Sequence, residues 1–183
     1  MALVLNGSGS ITGLSAGGLP DGSVTADDIA SLPAGSVIQV VQGTTSTGVT
    51  STSTSYADTG LTATITPTSA TSKILVVITQ PFYLDRSIYA VDLLGFKVLR
   101  DSTTIYDPYS TFSGGPSFDG ATSGRFAWVQ SASKLDSPAT ISSITYKTQF
   151  RLRVTSSSAA IRANADGSAT NCESTIILME IAA

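Results

Sequence analysis

Residues 144–155 alternate without a break. Ile144, Tyr146, Thr148, Phe150, Leu152 and Val154 share one face, and Thr145, Lys147, Gln149, Arg151, Arg153 and Thr155 share the other. Successive strand side chains point to opposite faces, so this run predicts a half-buried antiparallel strand. Leu61–Thr66 alternates in the same way. By contrast, Ile74-Leu75-Val76-Val77-Ile78 is apolar at every position, which predicts a central strand over Lys73–Thr79 covered on both faces. Further strands are expected at Val37–Val41, Ile88–Arg100, Arg125–Val129 and Ser174–Ile181, with a short one at Ala160–Arg162. Phe96, Val98 and Arg100 fall on one face of their strand, opposite Lys97 and Leu99. Asp101-Ser102-Thr103 then turns into Ile105-Tyr106, a hairpin.

The intervals between these runs are rich in Gly, Pro and Ser, and no long helical period occurs. The expected fold class is all-β, an antiparallel β-sandwich. Jelly-roll-like and immunoglobulin-like strand orders both remain open, because register and connectivity are not carried by the pattern. Residues 43–55 form a Ser/Thr/Gly tract that reads equally as a wet loop or as a Thr-rich edge strand. Residues 107–124 hold two prolines and four glycines, which predicts a long irregular loop at one end of the fold.

Residues 1–35 obey a different rule. Met1–Leu5 is a short apolar piece, and Gly7, Gly9, Gly13, Gly17 and Gly18 break the residues after it into brief extended stretches. Thr25, Asp27 and Asp28 could open one short helix that Pro33 and Gly35 end. The segment has too little apolar bulk for a core of its own. The expected organisation is an extended docking or oligomerisation segment over 1–35 and a β-sandwich domain over 36–183. The candidate docking residues are Leu3, Val4, Leu5, Ile11, Leu14 and Leu19.

Composition narrows the chemistry. Only 13 % of residues are charged, about half the usual share, and Ser and Thr make up more than a quarter of the chain. Thr suits strands and Ser suits turns, which agrees with the β reading. A net charge of −3 with ten dispersed Lys and Arg argues against a nucleic-acid partner. Arg151 and Arg153 are the nearest thing to a basic patch and read as a solvated strand face. There is no histidine, which removes the usual general base and the commonest metal ligand. Cys172 is the single cysteine, so no intrachain disulfide or zinc cluster is expected; it reads as a small buried apolar residue. No phosphate-binding loop, signal peptide or membrane-spanning run is visible.

Carboxylates are the remaining route to catalysis. Asp58, Asp101, Asp107, Asp119, Asp136 and Asp166 fall in expected turns, where Asp commonly bonds local backbone. The expectation is therefore no catalytic residue, no metal, no cofactor and no enzyme activity. Binding is the stronger alternative: Tyr106, Tyr109, Phe112 and Phe118 cluster in or beside the long loop and are the candidate ligand or subunit contacts. Trp128 reads as core.

Three islands carry a family resemblance. They are Met1-Ala2-Leu3-Val4-Leu5-Asn6-Gly7-Ser8-Gly9-Ser10-Ile11-Thr12-Gly13-Leu14 with Gly17-Gly18-Leu19-Pro20-Asp21-Gly22, then Leu135-Asp136-Ser137-Pro138-Ala139-Thr140 through Tyr146 and Gln149, and Ser174–Ile181. They resemble tail-fibre-like virion proteins of tailed bacteriophages, especially those infecting cyanobacteria, and cover under a third of the chain. The resemblance implies a homotrimer, an N-terminal segment docked on other virion proteins, and a β-rich head that touches a host surface glycan or protein. It also implies assembly in the host bacterial cytoplasm and residence in the virion. Only about fifteen residues separate Gly22 from Val37, which leaves no room for a fibre shaft. The expected function is a structural virion protein, a short fibre or fibre-like appendage. The alternatives are a receptor or glycan-binding tip, and a collar, head-fibre or baseplate adaptor.

Overall fold

A computed structural model describes residues 4–5, 11–12, 32–86, 94–108, 124–152, 159–167 and 170–183. The chain divides into two compact units, Met1–Pro33 and Ala34–Ala183. In the first, β1 (Val4–Leu5) and β2 (Ile11–Thr12) form a small antiparallel ladder that pairs Val4 with Thr12 and Leu5 with Ile11. The helix expected after Thr25 lies outside the described residues.

The second unit is all-β and consists of two antiparallel sheets packed together. Its strands are β3 (Val37–Thr45), β4 (Val49–Ser51), β5 (Ala57–Ile65), β6 (Lys73–Arg86), β7 (Leu94–Arg100), β8 (Thr103–Tyr106), β9 (Gly124–Asp136), β10 (Ile144–Leu152), β11 (Ala160–Ala163) and β12 (Ser174–Ile181). One sheet has the order β5-β10-β7-β8. The other runs β3-β12-β6-β11-β4, with β9 on the opposite side of β6. The pairings are nested around the β7–β8 hairpin: β6 pairs β9, β5 pairs β10, and β3 and β4 pair β12 and β11. The domain therefore ends beside its own beginning, where Gly35 N donates to Ala182 O and Ala182 N to Ser36 O.

The alternation in the sequence sets the core. Ile144, Tyr146, Phe150 and Leu152 of β10 meet Ile74, Val76, Ile78, Phe82 and Leu84 of β6 in one buried cluster, with Phe96 and Val98 of β7 beside them. Phe82 contacts Phe96 edge-on at 6.1 Å, and half-buried Trp128 stacks on it at 5.9 Å. Arg100 does share the inward face of β7: its Nη1 bonds Asp136 Oδ2 at 2.7 Å, and Tyr146 Oη donates to the same oxygen at 2.8 Å. This ties the two sheets together.

Several elements differ from the sequence expectation, each for a local reason. The strand at Lys73 continues through Pro81 to Arg86. Pro81 falls where the neighbouring strand changes from β12, which ends its pairing at Thr79, to β11, which begins at Phe82. A ladder hydrogen bond from residue 81 is not required at that gap, so the missing N–H costs little. The 43–55 tract divides: β3 reaches Thr45, residues 46–48 lead to β4, a short edge strand, and residues 52–56 lead on to β5. Asp58 and Asp136 are strand residues and not turn residues. Leu75 and Val77 of the fully apolar run are half-buried on the outer face, so the described residues cover that run on one side only. Residues 153–158, including Val154, lie outside the described set.

Where β5 pairs β10, Thr59, Gly60 and Leu61 face the single Thr148. Gly60 has a φ of +84°, a conformation that favours glycine. The bulge turns Thr59 inward without reversing the faces of the strand.

Candidate functional site

Tyr106 ends β8, is half-buried and packs against the core. It lines a groove of about 350 Å³ together with Val77, Ile78, Thr79, Ser131, Ala132 and Ser133 of β6 and β9. None of these lining residues is charged. Tyr109, Phe112 and Phe118 lie outside the described residues, so of the four aromatic candidates Tyr106 alone is placed. Among the candidate docking residues, Val4, Leu5 and Ile11 belong to the β1–β2 ladder; Leu3, Leu14 and Leu19 lie outside the described set.

The outer face of the six-stranded sheet carries an apolar row that crosses four strands. Val40 pairs Met179, Met179 pairs Leu75, and Leu75 pairs Leu135, all pointing away from the core. Val40 and Leu135 are 57 % and 49 % exposed. The next row of the same face adds Ile177 beside Val77, and Val37 beside Ile181 extends it at the other end. Among the described residues the ionised groups of this face lie toward its ends: Lys73 at one, and Arg162 with Asp85 and Arg125, the last two paired at 3.4 Å, at the other.

The outer face of the four-stranded sheet is polar. Asp58 accepts Lys147 Nζ at 3.0 Å and Gln149 Nε2 at 2.7 Å. Burial opposes the charge on Asp58, yet these two bonds and the charges of Lys147 and Lys97 hold the carboxyl below its usual range. Beside it the ring of Tyr56 receives Lys97 Nζ at 4.2 Å and Arg151 Cζ at 4.5 Å from its centroid. Partial burial and then the Asp107 carboxylate raise the Tyr56 hydroxyl above its usual range, with Arg151 acting in the opposite direction. Sequence reasoning passes over Tyr56 and reads Arg151 as a solvated strand face. The period-two pattern gives their faces, but only the β5–β10–β7 order brings them together.

Two further acids have partners. Asp101 lies in a turn, but its Oδ1 accepts the amide of Thr145 on β10 at 3.0 Å and not that of a local residue, and Asp136 holds Arg100 and Tyr146. Burial and the Asp136 carboxylate push the Tyr146 hydroxyl far above its ordinary range. Cys172 is only half-buried, in the loop before β12, and not the fully buried residue expected. Burial and the Asp166 carboxylate raise its thiol, which disfavours the nucleophilic thiolate. Among the described residues no three His, Cys, Asp or Glu side chains converge as a metal site. No family model matches this chain, and no curated protein sequence matches it.

Proposed function

We propose that this chain is a non-enzymatic structural subunit of a tailed-phage particle, a short fibre or fibre-like appendage built on a jelly-roll domain. The virion assignment is supported by the resemblance carried by residues 1–22, 135–149 and 174–181. The jelly-roll reading is supported by the nested pairing. A double-sheet fold of this kind winds a two-stranded ribbon so that first pairs last and inner pairs lie within outer ones. An immunoglobulin order, with its ABED and CFG sheets, does not nest in this way.

The observation that carries the structural role is the row Val40–Met179–Leu75–Leu135. Four strands about 4.8 Å apart and about eight residues of roughly 3.3 Å each give a face of roughly 500 Å² in projection. That is the same order as the roughly 800 Å² per partner buried by stable complexes. Its occupant is a second copy of this chain, because a face with no central charge can be covered by its like without stranding an ion. Three copies turning this face toward a common axis form the homotrimer, and residues 1–35 dock it on other virion proteins.

Sedimentation equilibrium tests the assembly. The wild-type chain sediments at three times 18.7 kDa, and the double variant Val40→Lys, Leu135→Lys at 18.7 kDa with an unchanged β spectrum. A monomeric wild-type chain refutes the trimer. Deletion of residues 1–35 removes the protein from particles while the domain still folds; retention on the particle refutes N-terminal docking.

The Tyr106 groove favours a second role compatible with the first, recognition of a neutral host glycan. An aromatic face beside uncharged segments of β6 and β9 suits a sugar ring. Tyr106→Ala then abolishes cell binding and leaves particle incorporation intact.

A further inference from the structure

We propose that Lys97 and Arg151, on the outer face of the four-stranded sheet, form a binding site for an oxyanion such as a sulfate, phosphate or carboxylate group. The site is separate from the apolar row and from the Tyr106 groove.

The cations are fixed by the fold. Arg151 pairs Gly95 across β10 and β7, and a Cβ at Gly95 would lie 2.6 Å from Arg151 Cγ and 2.8 Å from its Nε. The missing side chain lets Arg151 lie flat along the sheet toward Tyr56. Lys97 comes from the next outward position of β7, opposite Gln149. Both charges rest against one aromatic ring, so they are no farther apart than their two distances to its centroid together. An oxyanion at the edge of that ring would take charge-assisted bonds of about 2.8 Å from both.

The site is also short of a partner. Lys147 is neutralised by Asp58, whereas neither Lys97 nor Arg151 makes an ion pair among the described residues. Arg151 Nη1 donates to the Thr54 carbonyl at 3.3 Å and the guanidinium rests on Tyr56, so its charge meets no carboxylate among the described residues. A half-buried guanidinium without a carboxylate partner gains charge-assisted hydrogen bonds from a bound anion. Asp107 stands at the hydroxyl end of Tyr56, 3.5 Å from Oη, and offsets one of the two cations. The balance at the site is still one positive charge, on a chain whose net charge is −3.

The test is an amide-detected NMR titration of the full chain with sodium sulfate, sodium phosphate and sodium acetate, at ionic strength held constant with sodium chloride. Saturable shifts confined to residues 54–58, 95–97 and 149–152 are expected with at least one of these anions. Lys97→Ala and Arg151→Ala each weaken that binding at least tenfold, and Gly95→Ala does the same by displacing Arg151. Lys73→Ala, in β6 of the other sheet, leaves it within twofold. The ranking of the three anions tells a phosphate source from a sulfated or carboxylated one. Shifts that never saturate with any anion, or that persist in both Lys97→Ala and Arg151→Ala, overturn the proposal.

Discussion

Asn164 and Thr59 belong to facing sheets, and the side-chain amide of the first donates to the carbonyl of the second at 2.7 Å with neither residue exposed. The same Nδ2 also donates to Thr47 O at 2.7 Å. Oδ1 accepts Gln80 Nε2 at 2.8 Å and Ser174 Oγ at 2.7 Å. The backbone is used as well: Asn164 N donates to Pro81 O and its carbonyl accepts from Cys172 N, both at 2.9 Å. One amide thus joins the β3–β4 connection, β5, β6 and β12. Its φ of +59° is one that Asn tolerates better than most residues.

Replacing Asn164 leaves several of those groups buried without partners. Each such orphan costs about 1–3 kcal/mol, so Asn164→Ala should lose at least about 3 kcal/mol. Asn164→Gly relieves the backbone and restores no bond, so it should regain only about 1 kcal/mol of that loss. Urea unfolding checks both: the midpoint falls and the slope is unchanged. A shift under about 0.5 kcal/mol in Asn164→Ala would mean that these bonds contribute little.

Two glycines on facing strands should separate steric from conformational cost. A Cβ at Gly43 of β3 would run into the Thr62 carbonyl oxygen of β5 and approach Ala63 Cβ and Ile176 Cγ2 at 3.0 Å. Backbone cannot yield as a side chain can, so Gly43→Ala should cost about 2–3 kcal/mol. At Gly60 the space is open, with Thr45 Oγ1 the nearest atom at 3.9 Å, but φ is +84°. Gly60→Ala should therefore cost only about 1 kcal/mol. Thermal melts of the two variants give the order, and a smaller loss at Gly43 would show that β3 can move away from β5.

The unequal legibility of this fold has a physical basis. Alternation is local, so the inward faces of β5 and β10, and of Phe96 and Val98 in β7, can be read directly from the chain, whereas Ile176-Ile177-Leu178-Met179 of β12 is apolar on both faces. The hairpin at Asp101 is legible for the same reason: its turn chemistry lies within three residues. Pro81 misleads because its tolerance depends on two distant strands, β12 and β11, leaving a gap beside it. Asn164 looks like the start of a polar loop, since nothing nearby reveals that Thr47, Thr59, Gln80 and Ser174 converge on it. The cluster of Tyr56, Lys97 and Arg151 joins two strands and the connection before β5, positions up to 95 apart in the chain, and strand order assembles it.

Stability should fall off at both ends of the pH scale through two identified groups. Glu180 is buried, and burial opposes its charge. Hydrogen bonds from Gln39 Nε2 at 2.6 Å and from Thr68 N and Oγ1, each at 2.8 Å, outweigh that and hold its carboxyl below the ordinary value. A depressed folded-state value means the unfolded chain takes up the proton first. The stabilisation is then present above the ordinary carboxylate value of about 4.3 and is lost as pH falls through the folded-state value. Tyr146 is the opposite case, since burial and Asp136 raise its hydroxyl, and folding favours its neutral form. Its contribution is complete below about 10, the ordinary tyrosine value, and is lost as pH rises beyond it, because only the unfolded chain ionises readily there. Urea midpoints measured from pH 3 to 11 should therefore form a plateau with two limbs. Glu180→Gln should flatten the acid limb, and Tyr146→Phe the alkaline one, with Arg100 still holding Asp136 in the latter variant. An alkaline limb unchanged in Tyr146→Phe would assign it to another group.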